Sequence, residues 1–570
     1  MSNREILGLL KRLSVLLDLF DENPFKVRSL SIAAFNLGRQ SKALSTLSLK
    51  ELQEMDGVGK SIAAYIDEIN QSGKLSQIDE LEAKTPADIL EMAFMKGIGP
   101  KKARALWTEL GAESFDDVLK AVEQGAVARL KGLGAKTQEN IKEAIENYYA
   151  NKGKLHYADA ELIAGAYLEE INEKFAPAKI SLSGDIRRKM EVIDKAEILI
   201  GTNSKKKIFD WLDEQKSLKK EEEACGPFQW QGTHKETDLL IVFIACDPAR
   251  FGSMLVQSTG NANHLQLTFS GTTLRAVIRN AYATEEEVYK AAGIPYFIPE
   301  LREGLYEKEL LTQMPLPLEL NDLRGSLHNH STWSDGIHSV AEMAGRCADM
   351  GYEYFGIADH SRTAAYANGM SIERVEEQIK EIDALNKKLK DFVVFKGIES
   401  DILDDGSLDY PDDVLMQFDY VVASIHAQMN MHEAKATQRL INAIANPFTT
   451  ILGHPTGRLL LERPGYPINH KAVIDACAEY GVVMEINANP WRLDIDWRWM
   501  RYAMEKNVLL SINPDAHNMD DLTMVEYGIA VARKAGVEKQ HVFNAKTREE
   551  LKAHFRKRKE RAGKQLGISV

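Results

Sequence analysis

Through roughly the first 150 positions apolar residues recur at helical spacing, broken by glycine-rich turns, and the pattern predicts helices without a sheet. From about 155 to 245 the texture changes to continuous apolar runs, AKISLSG, AEILIGT and TDLLIVFIA, which predict strands. Charged stretches such as SKKKIFDWLDEQKSLKKEEE separate them. A mixed segment follows to about 312, and LTQMPLPLELND, with two prolines and no period, predicts a linker. No repeat of solenoid length is present.

Beyond the linker, strand and helix patterns alternate. The strand segments are LRGSLHNH, YEYFGIADH, FVVFKGIES, FDYVVASIH, FTTILGHP, GVVMEINAN and VLLSINPDAH. Helical stretches such as SVAEMAGRCADMG, IERVEEQIKEIDALNKKL and HKAVIDACAEYG lie between them. This alternation predicts a parallel sheet, and seven units predict a closed barrel.

Six of those strands end in side chains that bind metals. In chain order they are His328 and His330, with Asp335 just after, then His360, Glu399, His426, His454, and Asp515 with His517. In a β/α barrel the C-terminal strand ends converge on one face, so ligands distant in sequence meet there. Residues two apart on a strand face one way, which lets His328 and His330 grip one ion. A lone HxH pair carries little weight; the repetition at strand ends carries the inference. Eleven of the fourteen histidines lie after residue 322, in keeping with this concentration. Imidazole with carboxylate suits Zn²⁺, Mn²⁺ or Fe²⁺ better than Mg²⁺ or Ca²⁺, and nine ligands exceed what one ion uses, implying two or three.

The segments LHNHSTWSDG, GIADHS, GIES, ASIHA, GHPTGR and NPDAH resemble the motifs of the PHP (polymerase and histidinol phosphatase) domain over about residues 323–545. The resemblance implies a distorted (β/α)7 barrel with a trinuclear site and catalytic roles for Glu399, Asp515, His328 and His330. Glu399 would bridge two ions, one of them shared with His328, His330 and Asp515. His426 and His454 would hold the second ion, and Asp335, His360 and His517 the third. Such cations acidify water and neutralise the charge of a phosphodiester under attack. Asp359 has two readings, an orienting partner for a ligand imidazole or a loop carboxylate. Arg458 likewise reads as a phosphate ligand or a structural arginine.

Three Gly-x-Gly turns punctuate the helical front end: MDGVGKSIA, MKGIGPKKA and LKGLGAKTQ. They resemble helix-hairpin-helix motifs, in which Gly57, Gly59, Gly97, Gly99, Gly132 and Gly134 allow close backbone approach to a DNA phosphate. Lys60, Lys101, Lys102 and Lys136 would reinforce that contact without reading bases. NPFKVRSLSIAAFNLG, SGDIRRKMEVIDKAEILI, STGNANH and YKAAGIPYFIPELREG resemble family X, polymerase-beta-like DNA polymerases over roughly residues 1–312. The order of parts is that of bacterial family X polymerases with a C-terminal PHP domain.

The polymerase pattern departs at its chemistry. Where the family places metal-binding carboxylates, this chain has Lys195 and Glu197, with Asp238 intact at the third position. An ammonium at the first position repels the dication that transfer needs, so Mg²⁺ is disfavoured at the palm. Asp194 faces the other side of the strand. The phosphate-gripping motif reads Gly184-Asp185-Ile186-Arg187-Arg188, a carboxylate replacing a hydroxyl. The position of the family's lyase nucleophile holds Tyr65, with Lys60 one turn away.

A chain of 570 residues exceeds one ordinary core. The expected domains are 1–85 and 86–150, helical, each with helix-hairpin-helix turns; 151–245, an α+β nucleotidyltransferase-like palm; 246–312, thumb-like; 313–322, linker; and 323–570, the metal-binding barrel. The net charge of −13 is an average over domains and excludes little. Four scattered cysteines form no CxxC pair, no apolar run spans a membrane, and the N-terminus is not a signal peptide, together predicting a cytoplasmic protein. The basic tail FRKRKERAGK reads as a solvated helix end. The expected function is metal-dependent DNA phosphodiester hydrolysis in repair, 3′→5′ exonuclease or end-processing, by a monomer acting on gapped, nicked or 3′-ended DNA. Synthesis would be weak or lost. The alternatives are a gap-filling polymerase with an editing nuclease, a non-catalytic DNA scaffold, and a small-molecule phosphatase.

Overall fold

The computed structural model describes residues 1–38, 42–55, 57–269 and 271–567. The chain divides into two compact units, Met1–Lys152 and Gly153–Val570.

The first unit is helical. Its opening helix, Asn3–Leu19, starts with a capping box between Ser2 and Glu5 and buries Ile6, Leu10, Leu13, Leu16 and Leu17. In each Gly-x-Gly turn the first glycine is left-handed, with φ of +78° at Gly57, +93° at Gly97 and +83° at Gly132, a conformation that disfavours any side chain. A helix begins at or just after the second glycine: Lys60–Ser72, Gly99–Leu110 and Ala135–Asn151.

The second unit begins with a five-stranded sheet. Its order is Lys179–Ser183, Lys195–Gly201, Leu240–Cys246, Gln229–His234 and Leu218–Lys220. Only the pairing of Lys195–Gly201 with Leu240–Cys246 is parallel. The three apolar runs are neighbours in it, AKISLSG at one edge and the other two inside. The charged stretch expected to separate them contains a helix, Lys205–Asp213, and the edge strand Leu218–Lys220, in which Leu218 is buried and Lys219 exposed. A smaller apolar core follows around Val256, Leu274, Val288, Tyr289 and Phe297. The linker segment is seated rather than free: Leu318 is buried in the barrel's outer core and its carbonyl accepts from Arg533 Nε at 2.6 Å.

The seven strands expected after the linker all form, parallel and in chain order: Gly325–Ser326, Tyr354–Ile357, Val393–Asp401, Tyr420–Ser424, Thr449–Leu452, Val483–Asn487 and Leu510–Asn513. The seam between first and last strands is sewn at its upper end by the bridge Asn329–Ala516, with His330 N donating to Ala516 O at 2.8 Å. Lower down the Asn544 side chain takes the place of a strand. Its Nδ2 donates to Gly325 O at 2.9 Å and Ile512 O at 2.7 Å, and its Oδ1 accepts from Ile512 N at 3.0 Å.

Tyr420 fills the barrel axis, its hydroxyl held at 2.7 Å by the carbonyls of Leu327 and Ile357. Gly356 and Gly397 make room for it; a Cβ at either would lie within 2.5 Å of the Tyr420 side chain. Below, helix Arg548–Leu566 plugs the barrel with Leu551 and Phe555, and the Phe555 ring stacks on Tyr420 at 5.3 Å. The basic tail is therefore not a solvated helix end throughout: one face of it, with Phe555 and Ala562, is core. No helix among the described residues is long and apolar enough to cross a membrane.

Candidate metal centre

All nine residues expected to bind metal meet at the barrel mouth. Glu399, in the third strand and 1% exposed, is the hub. Its Oε1 lies 3.3 Å from His328 Nε2, 3.2 Å from His426 Nε2 and 3.0 Å from His454 Nε2. Its Oε2 lies 2.8 Å from His360 Nδ1 and 3.8 Å from His330 Nε2. His330 Nε2 is also 3.0 Å from Asp515 Oδ1. Asp335 reaches His360 Nε2 at 3.7 Å and His517 Nε2 at 3.4 Å. Three sets have ligand atoms close enough to share an ion: His328, His330 and Asp515; His330, Asp335, His360 and His517; and His360, Glu399 and His426.

The donor set fits cations. His328 Nε2, His330 Nδ1, His360 Nδ1 and Glu399 Oε2 are buried and make no hydrogen bond among the described residues. An orphaned buried polar atom costs about 1–3 kcal/mol, so four pointing into one cup call for a common partner. Burial alone would raise the Glu399 carboxyl, yet the surrounding His426, His328 and His360 hold it well below the usual range. Burial likewise opposes a charge on His426, but Glu399 and Asp401 push its pKa up to about 10, and Asp335 and Asp515 push His517 up to about 9. Burial, His517 and His360 drive His330 down to about 4. Cations bound there would displace protons from the imidazoles.

Residues not anticipated from sequence orient this set. Glu485, fully buried in the sixth strand, accepts from His328 Nδ1 at 2.7 Å, from the His454 backbone at 2.8 Å and from Asn513 Nδ2 at 2.9 Å. Asp401 accepts from His426 Nδ1 at 2.6 Å. A carboxylate held on one ring nitrogen fixes the tautomer and leaves the other free to ligate. The signal was legible: Glu485 is a charge in the apolar run VVMEIN, and Asp401 follows Glu399 by two, on the same face. Asp359 does not orient an imidazole. It accepts from the Ser331 backbone and hydroxyl, both at 2.7 Å, and from Gln378 at 2.6 Å, anchoring the loop that carries Asp335. Arg458 is structural, its guanidinium donating to Arg492 O at 2.8 Å, Asp496 at 2.9 Å and Leu493 O.

In the palm-like sheet, Lys195 Nζ lies 2.7 Å from Glu197 Oε1. Asp238 precedes its strand, at a left-handed φ of +58°, while Glu197 stands opposite Val242, four positions further along the chain. Arg187 is gripped by Glu285 through two 2.7 Å bonds and by Thr259. Arg188 donates to Glu303 at 3.1 Å, Thr259 O at 2.6 Å and Asp185. Gly184 is left-handed, φ +65°, with no space for a Cβ beside Glu197.

In the helical unit the glycines of the three turns differ in backbone conformation. Gly57, Gly97, Gly132 and also Gly99, at φ +76°, are left-handed and need glycine for their own backbone. Gly59 and Gly134 do not: they are extended N-caps, at φ −76° and −103°, a conformation open to any residue. A Cβ at Gly59 or Gly134 would meet nothing within 4 Å, so neither is demanded by packing within the chain. What a bare Gly59 or Gly134 leaves is open space in front of a helix N-terminus. Lys60, Lys101 and Lys136 are exposed beside their turns, whereas Lys102 Nζ donates to Gly97 O at 2.6 Å. Tyr65 donates its hydroxyl to Gln77 at 2.9 Å.

Comparisons with known proteins agree with this division. Residues 1–75 match a helix-hairpin-helix domain, residues 89–147 a SAM-like helix-hairpin-helix tandem, and residues 326–489 the PHP domain. Asp515 and His517 lie after that last match, yet the seventh strand returns them to the same mouth. A probable phosphatase of Thermoanaerobacter sp. (strain X514) is 31% identical over 189 residues, covering 31% of this chain and 75% of the relative. A probable phosphatase of Caldanaerobacter subterraneus subsp. tengcongensis is 28% identical over 192 residues, covering 32% of this chain and 73% of the relative. The DNA polymerase/3′-5′ exonuclease PolX of Bacillus subtilis (strain 168) is 33% identical over 570 residues, covering 98% of this chain and all of the relative. With helix-hairpin-helix segments in front, a palm between and the PHP barrel behind, the chain belongs to the bacterial family X DNA polymerases that carry a C-terminal PHP domain.

Proposed function

We propose that this protein hydrolyses DNA phosphodiesters at the barrel mouth, removing nucleotides from 3′ ends or cleaning damaged ends in repair, and that its palm sustains little or no synthesis. The observation that carries the reading is the convergence of nine ligating side chains on the buried Glu399. In this proposal His328, His330 and Asp515 would hold one divalent ion, Asp335, His360 and His517 another, and His426 with His454 a third, with Glu399 as a further ligand. Zn²⁺, Mn²⁺ and Fe²⁺ suit these donors. Held there, such ions supply Lewis acidity, acidifying water and neutralising charge on phosphoryl oxygens.

The chain's own work is positioning. Glu485 and Asp401 hold His328 and His426 with one ring nitrogen turned toward Glu399. Burial of the cup keeps its charges strong by excluding bulk water. The exposed lysines beside the Gly-x-Gly turns hold the DNA backbone without reading sequence, and the space left at Gly59 and Gly134 admits a phosphate to the amides behind them. At the palm the Lys195 ammonium already pairs with Glu197, and Arg187 and Arg188 are occupied, so neither arginine is a free triphosphate grip. The protein acts as a cytoplasmic monomer on gapped, nicked or 3′-ended DNA.

The test uses the full chain stripped with chelator and reloaded with each metal, incubated with 5′-labelled single-stranded, nicked and gapped DNA. Stepwise shortening from the 3′ end that requires metal, and that His328→Ala abolishes while DNA binding persists, supports the reading. Metal-independent release, or hydrolysis of small phosphomonoesters alone, refutes it. Primer extension in the same preparation with Mg²⁺ and Mn²⁺ decides the palm.

A further inference from the structure

The C-terminal helix Arg548–Leu566 has two faces of opposite character. One, with Leu551, Phe555 and Ala562, is buried, and Leu551 and Phe555 plug the barrel end opposite the metal cup. The other carries Arg556, Lys557, Arg561 and Lys564, all exposed, and at 3.6 residues per turn they fall on one side of the helix. From Lys552 to Lys564 the helix holds seven lysines and arginines and a single acid, Glu560. This excess stands in a chain whose acidic side chains outnumber the basic ones by 84 to 71, so composition does not account for it.

Cations at the start of the helix are paired: Arg548 and Lys552 both reach Glu549, at 3.0 and 3.1 Å. Arg556, Lys557, Arg561 and Lys564 form no ion pair among the described residues, with Glu560 or with any other carboxylate. Nor is the charge absorbed beneath them. Arg558 gives Nη1 to Gly481 O at 2.9 Å, and its buried Nε has no hydrogen-bond partner among the described residues. Burial, with Arg561 beside it, lowers Arg558 to about 10, and burial with Arg558, Lys546 and Lys557 holds His554 at about 4. The helix dipole favours a cation in the last turn, where Lys564 lies, but it fades before Arg556 and Lys557, more than two turns from the end.

We infer that this exposed face is a second DNA-holding surface, taking the phosphate backbone of duplex DNA at the end of the barrel remote from the metal cup. Arg556 to Lys564 spans about 12 Å of helix, over which duplex DNA presents about seven phosphates. Long, flexible cations on a convex helix reach backbone oxygens and read no bases. DNA is the polyanion that the helix-hairpin-helix segments already bring to this chain. The face would hold the duplex away from the end being processed. The inference rests on DNA being the substrate and not on how the DNA is cut.

The test uses the full-length protein stripped with chelator, so that binding is read without cleavage, with a blunt duplex and with phosphatidylglycerol vesicles as a second polyanion. Arg556→Gln, Lys557→Gln and Lys564→Gln combined remove three charges and keep a good helix former at each position. The plot of log affinity for the duplex against log salt should lose about one unit of slope per contacting cation, about three in all, with the melting temperature unchanged. Lys552→Gln, whose charge is already paired with Glu549, should leave the slope as it is. Should the triple variant melt early, Lys557→Gln alone, expected to cost about one unit, decides. Equal slopes in wild type and variant overturn the inference. Loss of vesicle binding with duplex binding unaltered also overturns it and assigns the face to a membrane. If the wild type cleaves small phosphate esters but not DNA, the function proposed above fails, whereas the salt slope still judges this face.

Discussion

Glu485 and His328 meet at 2.7 Å in the floor of the metal cup, a carboxylate on one strand fixing an imidazole just past the end of another. Because Glu485 also receives the His454 backbone and Asn513, it is held rigidly and transmits that rigidity to His328. Glu485→Gln keeps the shape and removes the charge. Metal affinity, measured by competition with a chromogenic chelator, should fall about 10–100-fold, and excess metal should restore activity.

The Lys195–Glu197 contact bears on synthesis. Wild-type protein should extend a primer weakly or not at all with Mg²⁺. Lys195→Asp should not bring extension to the level of an intact carboxylate set, because both arginines stay tied. Robust templated incorporation by either protein in a gapped-duplex assay contradicts this.

Phe555 holds the lower end of the barrel, buried on Tyr420 and Phe395. Phe555→Ala should destabilise the second unit by about 3–5 kcal/mol, the usual cost of truncating a core aromatic. Chemical denaturation followed by circular dichroism reads the effect.

His554 supplies a pH dependence away from the metal cup. Burial, with Arg558 and Lys546 nearby, lowers its pKa from the ordinary 6.5 to about 4. The unfolded chain therefore takes up a proton in that interval that the folded chain refuses, so this contribution to stability is present above about pH 6.5 and is lost as pH falls toward 4. His554→Gln should flatten that part of the profile; an unchanged melting-temperature difference between pH 7 and pH 5 would argue against it.

Most of the cup could be read from the residues. The strand-end positions of His360, Glu399, His426 and His454 are a property of local pattern, and barrel topology does the rest. What the pattern hides is direction. Asp359 sits beside His360 in sequence yet turns away from the imidazoles to hold Ser331, while Glu485, in a strand that ends without a ligand, turns inward. Arg458 and Arg492 look equivalent as letters; their difference is which carbonyls and carboxylates surround them, and that depends on loops with no period. The same holds for Gly57 and Gly59, one letter twice, of which only the first is forced by its own backbone angle. The strand Gln229–His234 was missed because its residues, QWQGTH, are mostly polar, although pairing with Leu240–Cys246 secures it. The buried face of the C-terminal helix was masked by its lysines and arginines, whose charge dominates the pattern around Phe555.

Asn544 closes the barrel seam with one side-chain amide, joining Gly325 to Ile512 from far down the chain. A ribosome that has released every ligand through His517 has still not released the residue that locks them into a ring. The lower seam of the barrel is therefore a late product of translation, completed only when that asparagine has emerged.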